Sequence, residues 1–355
     1  MGEPSGDLHA SNLLLQLKKL DRGLLFRGLG GPLMQAQGMV PVDNFKKLSV
    51  MGFLEVLREL SFFIKLKKKI INDIIKHAPK TLVLVDYPGF NLKIAKEIKI
   101  KIKDIKIVYY ISPQIWAWKE KRISIIKKYI DSMVVVFPFE VRWYKQRGVD
   151  VKYFGHPLVD LYKNKIVETH NTNKIIGVFP GSREQEVLKH VPVLKKFIQL
   201  IQKNNKEIQF LIGLSDGVDE KIIHSLGLKK NYTIIKNNSV KAFNLSDVAV
   251  VASGTATLEC ALTKTPCVVI YKTSLLSWWV ASFFIKVDFI SIVNILANKL
   301  LYKELLQKNC TPELIYKNIL TLLDKKTNNN MKEFEKIINS LGNGTSYLDT
   351  AKHIL

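Results

Sequence analysis

One stretch of the chain, residues 247–271, has the pattern of a strand, a tight turn, a helix and a second strand. Residues 248–252 are a short apolar run rich in valine, which is typical of a buried strand and too short for a helix. The segment after the turn predicts a helix, and residues 267–271 predict another strand. Because a helix that joins two strands is the usual crossover of a parallel sheet, the stretch predicts an α/β fold.

The turn at the start of this helix offers the groups that bind a phosphate. We expect Ser253 to be the N-cap residue, and Gly254 lets a ligand come close to the backbone. Unpaired N–H groups, the helix dipole and the hydroxyls of Thr255 and Thr257 favour an anion there. Glu259 lies one turn beyond Thr255, where a carboxylate can accept hydrogen bonds from a ribose diol. An ordinary capped βαβ unit is the alternative, because a lone Ser-Gly-Thr sequence is a weak signal.

The charge balance leaves three interpretations open. Lys and Arg number 54 against 31 Asp and Glu, a net charge of +23. The excess indicates first a compositional bias, because many lysines lie in mixed Ile/Lys segments such as residues 93–106. Binding to an anionic membrane surface is the second interpretation. Binding to nucleic acid is the third, since no DNA- or RNA-binding motif is recognised, and we expect no nucleic-acid partner.

Cysteine usage and hydropathy indicate the compartment. The three cysteines have no metal-binding spacing, which fits a reducing cytoplasm. No signal peptide is recognised, and the longest apolar run, residues 278–285, is far shorter than the ~20 residues that span a bilayer. We therefore expect a soluble or peripheral cytoplasmic protein.

The chain opens on Gly-Glu-Pro-Ser-Gly-Asp, residues 2–7, with no strand before it. In a βαβ protein such a turn normally follows the first strand, so we expect that a strand of about six to eight residues is missing from this end. Glu3 and Asp7 would then lie at the carboxyl end of a central strand, where open α/β sheets bind ligands. A frayed, exposed terminus is the alternative.

Residues 45–71 combine a wide apolar arc with a cluster of lysines. A helix of this kind can lie in a membrane interface or hold an acyl chain. A core helix with a solvated end is an equal alternative. The side chains expected to contact membrane or acyl chain are Met51, Phe53, Leu57, Phe62, Phe63, Lys67 and Lys68.

Two further loops of the first half follow predicted strands. Asp86 begins a Pro-Gly loop directly after the apolar run 81–85, where it could act as a general base in apolar surroundings or simply cap the loop. The next loop carries Trp116 and Trp118, whose aromatic faces suit a sugar ring or a lipid interface, or else pack into the core.

A polar segment, residues 164–174, predicts the domain boundary, so that the domains are residues 1–163 and 164–355. A new strand, residues 175–179, leads into Gly181, Ser182 and Arg183, a second phosphate-type turn in which Arg183 could offer a bidentate fork to a diphosphate. Two doubly wound α/β domains facing a cleft are predicted.

Nine motifs occur in order over nearly the whole chain, and with them it resembles the bacterial lipid-A-disaccharide synthases, inverting glycosyltransferases of the GT-B fold. The motifs are GEPSGD (2–7), GGPLM (30–34), VMGFLEVL (50–57), DYPGFN (86–91), YISPQIWAWKEKR (110–122), FGHP (154–157), PGSREQEV (180–187), SGTATLE (253–259) and VNILA (293–297). The departure from the family is the missing strand before Gly2, and if the protein itself lacks this strand, we expect impaired folding and activity of the first domain.

The resemblance implies transfer of diacylglucosamine from UDP-2,3-diacylglucosamine to lipid X, 2,3-diacylglucosamine 1-phosphate, with release of UDP. It implies Asp86 as the base, Arg183 and the helix after Ser253 as the UDP site, and Glu259 as the ribose ligand. The residues implied on the acceptor and sugar side are Glu3, Ser5, Asp7, Asn91 and Gln114. Neither a metal nor an organic cofactor is implied.

The same resemblance implies a place on the cytoplasmic face of the inner membrane and suggests a homodimer. The nearest rival functions are those of related GT-B enzymes, a UDP-GlcNAc 2-epimerase or the lipid-II-forming GlcNAc transferase. A protein that binds a membrane surface without catalysis is a rival of another class, and it would show strongly salt-dependent binding with no release of UDP.

Overall fold

The computed structural model describes residues 4–43, 60–163, 165, 174–215, 217–228, 232–273, 288–324 and 331–355. The chain divides into a first unit, Met1–Asp160 with Leu341–Leu355, and a second unit, Leu161–Ser340. The predictions for Glu3, for Met51, Phe53 and Leu57, and for the apolar run 278–285 lie outside the described residues.

The first unit is built on a small parallel sheet. Strands β1 (Arg27–Gly28) and β2 (Val40–Pro41) pair with each other, whereas β3 (Thr81–Val85), β4 (Lys106–Tyr110), β5 (Ser132–Val135) and β6 (Val151–Tyr153) lie side by side in that order. Its helices are α1 (Pro4–Leu20), α2 (Pro32–Ala36), α3 (Leu60–His77), α4 (Pro88–Lys101), α5 (Ile123–Tyr129), α6 (Pro138–Lys145) and the first part of α7 (Pro157–Tyr162).

The second unit is a doubly wound sheet with six parallel strands. The strands are β7 (Ile175–Phe179), β8 (Gln209–Leu214), β9 (Tyr232–Lys236), β10 (Val248–Ala252), β11 (Cys267–Tyr271) and β12 (Lys303–Leu306), in the spatial order β12-β11-β10-β7-β8-β9. Its helices are α8 (Glu184–Asn204), α9 (Lys221–His224), α10 (Ser239–Asn244), α11 (Thr255–Leu262), α12 (Ile292–Ala297), α13 (Pro312–Asp324) and α14 (Met331–Ser340).

The predicted βαβ unit at residues 247–271 is present as β10, α11 and β11. All five residues of β10 are buried, as expected for a central strand whose two faces are both covered. Residues 303–306 pair with β11 as an edge strand. The lysine, glutamate and leucines of that segment favour a helix locally, and pairing along the sheet overrides this preference.

The chain ends in the first unit and not in the second, which differs from the predicted division at residue 164. Helix α15 (Ser346–Ile354) packs on α1, and the Asp160 carboxylate accepts hydrogen bonds from the N–H groups of Ser346 and Tyr347, both at 3.1 Å. His9 on α1 is bonded to the Tyr347 hydroxyl at 2.8 Å. These long-range contacts assign the last helix to the first unit.

Two glycines meet where the last segment joins the first unit. Gly155 has φ +92° and Gly342 has φ +98°, and the N–H of His156 donates to the Leu341 carbonyl at 2.7 Å. A Cβ on Gly155 would lie 2.8 Å from the Leu341 oxygen, and one on Gly342 would lie 2.9 Å from the Gly155 Cα. His156 itself is buried, and its Nδ1 accepts from the Leu158 N–H at 3.1 Å.

Alanine at position 155 should therefore destabilise the first unit. We expect Gly155→Ala to lower the free energy of unfolding by about 2–4 kcal/mol, because the left-handed backbone and the close carbonyl both oppose a Cβ. Denaturant unfolding followed by circular dichroism measures the loss. Gly28→Ala is the matched control, since a Cβ there meets no atom within 4 Å. Equal stability of the two variants would contradict the prediction.

Candidate functional site

The second sheet reverses its winding between two adjacent strands, β7 and β10. From β7 the chain adds β8 and β9 on one side, and from β10 it adds β11 and β12 on the other. Ligands of open α/β sheets bind at such a switch point, outside the carboxyl ends of the strands. The two phosphate-type turns predicted from the sequence follow these two strands, so the fold brings them to the same edge of the sheet.

The turn after β7 is closed by a carboxylate from the helix that it leads into. Gly181 has φ +134°, and a Cβ there would lie 2.6 Å from Glu186 Oε2, so only glycine fits this position. The Ser182 N–H donates to the same oxygen at 3.3 Å, and burial raises the pKa of Glu186. Arg183 is the exposed N-cap residue of α8. The turn thus presents a guanidinium at a helix start, as a diphosphate site requires.

A buried histidine ties this turn to the end of β11. His190 Nδ1 lies 2.7 Å from the Pro180 carbonyl oxygen, and its Nε2 accepts from the Lys272 N–H at 3.0 Å. Since a carbonyl only accepts and an N–H only donates, the ring is neutral with its proton on Nδ1. Burial lowers the pKa of His190, which keeps the ring neutral. His190 therefore fixes the spacing of two loops at the carboxyl edge of the sheet.

The turn after β10 differs in detail from the prediction. Gly254, and not Ser253, is the N-cap residue of α11, and its φ of +156° with ψ of −161° lies in a region open only to glycine. Ser253 Oγ donates to the Ile290 carbonyl at 3.1 Å, so the prediction that Ser253 caps the helix was wrong. Thr257 is buried, and its hydroxyl donates to the Gly254 carbonyl at 2.8 Å.

The start of α11 nevertheless keeps open donors. In the part of the chain that the structure describes, the N–H groups of Thr255 and Ala256 donate to no protein acceptor. Thr255 is exposed, and no atom lies within 4 Å of a Cβ built on Gly254. Free N–H groups in open space at the positive end of a helix dipole are suited to a phosphate.

One turn along the same helix, Glu259 is oriented by a tyrosine from another element. The Tyr162 hydroxyl, at the end of α7, donates to Glu259 Oε2 at 2.6 Å, and Ser239 Oγ lies 3.3 Å from the same hydroxyl. Tyr162 is buried, whereas Glu259 is half-buried. One carboxylate oxygen is thus anchored, while Oε1 accepts no hydrogen bond from the described residues.

In the first unit, Asp86 occupies a strained turn at the carboxyl end of β3. Asp86 and the next residue, Tyr87, have φ of +45° and +49°, values that residues other than glycine rarely adopt. The turn is held by Asn91 Nδ2, which donates to the carbonyls of Val85 at 3.1 Å and Asp86 at 2.6 Å, and by the Tyr109 hydroxyl, which donates to the Asp86 carbonyl at 2.5 Å. Backbone strain supported in this way is typical of functional sites.

The charge of Asp86 acts on the Tyr109 hydroxyl. Burial raises the pKa of Tyr109 well above its usual value, the charge of Asp86 raises it further, and the charge of Arg122 lowers it. Tyr109 therefore lies within the fields of an anion and a cation at this sheet edge. Asn91 is buried and acts on the backbone of the turn.

The loop after β4 is fastened from inside by Glu140. Its carboxylate accepts hydrogen bonds from Ser112 Oγ at 2.6 Å and Trp116 Nε1 at 3.0 Å, and from the N–H groups of Val136 at 3.1 Å and Phe137 at 2.9 Å. Trp116 thus packs into the core, one of the two alternatives for this loop. Gln114 and Trp118, by contrast, are exposed.

The Asp7 carboxylate, expected on the acceptor side, supports backbone. It is buried and accepts hydrogen bonds from the N–H groups of Gly31 at 2.9 Å, Leu33 at 3.0 Å and Met34 at 3.2 Å, which caps α2. Ser5 is exposed in the first turn of α1. Asp7 of the predicted GEPSGD motif is therefore linked directly by hydrogen bonds to the backbone of the GGPLM motif.

The described part of the predicted membrane segment is largely core. Helix α3 buries Leu66, Ile70, Ile71 and Ile74, and Phe62 and Phe63 are partly buried against the same cluster. Lys67 pairs with Glu97 at 2.8 Å, whereas Lys68 is exposed. No helix among the described residues is long and apolar enough to cross a membrane.

Comparisons with known proteins assign the family. The family model described as Lipid-A-disaccharide synthetase matches residues 1–352. The lipid-A-disaccharide synthase of Nitrosococcus oceani is 39% identical over 355 residues, which cover 97% of this chain and 91% of that protein. The enzyme of the same name from Coxiella burnetii (strain Dugway 5J108-111) is 37% identical over 356 residues, with 98% and 93% covered.

The chain belongs to the lipid-A-disaccharide synthase family. Membership makes it a glycosyltransferase of lipid A biosynthesis and confirms the resemblance drawn from the nine motifs.

Solved structures show the fold of this synthase family member. A UDP-GlcNAc 2-epimerase from Neisseria meningitidis bound to UDP-GlcNAc has a TM-score of 0.66 at 13% identity, covering 99% of this chain and 96% of that one. The glycotransferase of kitacinnamycin has a TM-score of 0.65 at 10% identity, covering 100% and 97%. At such identities the likeness shows the fold alone, and it confirms the GT-B class.

Several residues of the synthase site were missed by the sequence analysis. Tyr162, His190 and Glu140 each act on a predicted site element through a contact distant in sequence, and Arg122 was quoted only as part of a motif. Burial of a polar side chain within a motif-bearing loop is the signal that marks Glu140 and His190, and a sequence shows it only indirectly.

The Tyr162 contact gives a testable expectation for a UDP-sugar site. Tyr162→Phe should raise the KM for the UDP-sugar about 10- to 150-fold with a small change in kcat, because a hydrogen bond to a charged group is worth about 1.5–3 kcal/mol. Steady-state kinetics with varied donor measure it. Tyr232→Phe, on an exposed side chain of β9, is the matched control. An unchanged donor KM would show that the hydrogen bond from Tyr162 to Glu259 does not contribute to donor binding.

Proposed function

We propose that the chain transfers 2,3-diacylglucosamine from UDP-2,3-diacylglucosamine to the 6-hydroxyl of 2,3-diacylglucosamine 1-phosphate, forming a β-1,6-linked disaccharide phosphate and UDP. The observation that carries the proposal is the pair of anion-binding turns on either side of the switch point in the second sheet, in a chain of this family. These turns suit the diphosphate of a nucleotide sugar.

In the proposed reaction, the second unit holds the leaving group. Arg183 and the N–H groups of Thr255 and Ala256 face the negative charge that grows on UDP as the anomeric C–O bond breaks. Glu259, held by Tyr162, accepts hydrogen bonds from the ribose hydroxyls. No metal is needed for the step, since a guanidinium and a helix start supply the positive field.

The first unit supplies the base in this proposal. Asp86 takes the proton of the acceptor 6-hydroxyl while the oxygen of that hydroxyl attacks the anomeric carbon from the face opposite UDP. This attack inverts the anomeric carbon. Asn91 and Tyr109 hold the Asp86 backbone, and so they fix the carboxylate in place. Gln114 and Ser5 are exposed and are proposed to contact the sugars.

The acyl chains are proposed to lie against the segment that begins at residue 45 and continues into α3, at the cytoplasmic face of the inner membrane. On the described part of α3, Ile64 is 57% exposed beside exposed Lys65 and Lys68. An apolar side chain among lysines suits an anionic lipid surface. Flotation with vesicles of phosphatidylglycerol should therefore recover the protein at low salt.

The reaction is tested with the purified full chain, the diacylated UDP-sugar and the diacylated sugar 1-phosphate. We expect a disaccharide monophosphate by mass spectrometry and one UDP released for each product formed. Conversion of UDP-GlcNAc to its 2-epimer with no disaccharide would instead support the epimerase reading. Well-folded protein that yields neither product would overturn the proposal.

A further inference from the structure

Two cations lie together in the turn that follows the loop after β4. Lys119 Nζ lies 4.3 Å from the centroid of the Trp118 ring, and Arg122 Cζ lies 5.8 Å from it. The indole of Trp118 is 45% exposed. Burial and then the charge of Arg122 lower the pKa of Lys119. Two like charges beside one exposed aromatic ring repel each other, and a bound anion would offset this repulsion.

No residue in the described part of the chain supplies this anion. Among the described residues, neither Lys119 nor Arg122 has a carboxylate within ion-pair distance or a side-chain hydrogen-bond acceptor. Glu120 lies between them in sequence, but its carboxylate accepts from Arg147 Nε at 2.7 Å. Arg122 is also partly desolvated, and this burial lowers the pKa of its guanidinium. A bound anion would therefore stabilise this partly buried guanidinium, because taking an unpaired charge out of water is unfavourable.

The guanidinium lies beside the turn of Asp86. A Cβ on Gly89, three residues after Asp86, would lie 3.9 Å from Arg122 Nη2. The hydroxyl of Tyr109 lies in the field of both charges, since Asp86 raises its pKa and Arg122 lowers it. The cation is therefore at the same edge of the first sheet as the proposed base.

The charges of Arg122 and Lys119 and their position near Asp86 together indicate the class of ligand. A guanidinium offers a phosphate a bidentate fork, and a lysine adds a point charge. The donor diphosphate is assigned to turns of the second unit, so the phosphate of the acceptor is the anion left for the first unit. In the acceptor, a single hexose ring separates the 6-hydroxyl that Asp86 would deprotonate from the 1-phosphate.

We propose that Arg122 and Lys119 form the subsite for the phosphomonoester of the acceptor, with the exposed face of Trp118 against the sugar. The inference rests on the proposed function and names a ligand for a pair of residues that the reaction itself does not use. Arg122 positions the acceptor and selects the phosphorylated sugar.

The first test compares two acceptors, the diacylated sugar 1-phosphate and the same sugar without phosphate, in neutral detergent micelles. Wild-type enzyme should prefer the phosphorylated acceptor. Arg122→Gln should raise the KM for that acceptor about 10- to 100-fold, with the dephosphorylated acceptor and the donor KM unchanged, because a charge-assisted phosphate contact is lost. Lys121→Gln removes the same charge from an exposed neighbour in the same turn and should leave the preference intact.

The second test leaves Arg122 in place and supplies a competing anion. Gly89→Asp puts a carboxylate within reach of Arg122 Nη2 and should also weaken the preference for the phosphorylated acceptor. Gly89→Asn has nearly the same size without the charge and is the control. These two Gly89 variants keep the test valid if Arg122→Gln folds poorly. Arg122→Lys keeps the positive charge but not the bidentate guanidinium, and should give an intermediate KM for the phosphorylated acceptor.

The outcomes separate this subsite from its rivals. If neither acceptor reacts with wild-type enzyme, the proposed function fails. If disaccharide forms but Arg122→Gln and Gly89→Asp keep the full preference for the 1-phosphate, or slow both acceptors equally, the subsite is wrong. If Arg122→Gln loses only flotation with phosphatidylglycerol vesicles, the anion is a lipid headgroup and the acceptor assignment is overturned.

Discussion

Asp86→Asn should almost abolish turnover while UDP still binds. We expect kcat to fall about 10²- to 10⁴-fold, the range that a positioned general base contributes. The amide of asparagine cannot take the proton of the acceptor hydroxyl. Asparagine has the same size as aspartate and tolerates the left-handed backbone at φ +45°, so the turn should persist.

Two measurements separate loss of chemistry from loss of structure. Disaccharide formation gives kcat, and calorimetric titration with UDP gives the affinity of the second unit, which should match that of wild type. Asp104→Asn changes an exposed aspartate of the same unit and serves as control. A rate near that of wild type would assign the base to another residue and leave Asp86 a role in positioning.

The strand ends were the part of the site that the sequence analysis predicted well. The runs before Asp86 and Gly181 are apolar and bounded by turn residues, and both form strands, β3 and β7, where predicted. In a parallel sheet the residues after each strand lie at the edge where ligands bind, so the predicted strands also locate Arg183 and Thr255 at this edge. An apolar run can be recognised from the sequence because it depends only on neighbours in the chain.

Roles set by distant residues were not predictable in this way. The predicted cap Ser253 bonds Ile290 and leaves Gly254 as the N-cap residue. Asp7 proved to cap α2, 24 residues or more away in sequence. Hydrogen-bond partners of this kind follow from tertiary packing, which leaves no periodic trace in one sequence.

The same reason explains two features near the end of the chain that the local sequence does not show. Strand β12 depends on β11 for its pairing, and α15 depends on α1 and Asp160 for its place in the first unit. Local propensity is weak evidence where a neighbour supplies the stabilising contacts. Several residues that support the candidate site are therefore held by contacts distant in sequence, and Glu140 is the clearest example.

Glu140→Gln should destabilise the first unit by about 2–5 kcal/mol, because the amide nitrogen cannot accept and leaves up to two buried donors unpaired at about 1–3 kcal/mol each. The carboxylate is fully buried and holds four donors, from Ser112, Trp116, Val136 and Phe137. Denaturant unfolding measures the loss. Glu97→Gln, which breaks only the partly exposed pair with Lys67, is the control and should cost less than about 1 kcal/mol.

The difference between wild type and Glu140→Gln should also depend on pH. Burial raises the pKa of Glu140 to about 7, although its four donors pull it back. A carboxyl group with a raised pKa in the folded state contributes stability that is complete below its unfolded pKa and lost as the pH rises through the folded one. The variant has no such titration. The difference in unfolding free energy should therefore shrink by up to about 3 kcal/mol between about pH 5 and pH 8. A difference that grows with pH would mean that the donors outweigh burial and keep Glu140 ionised.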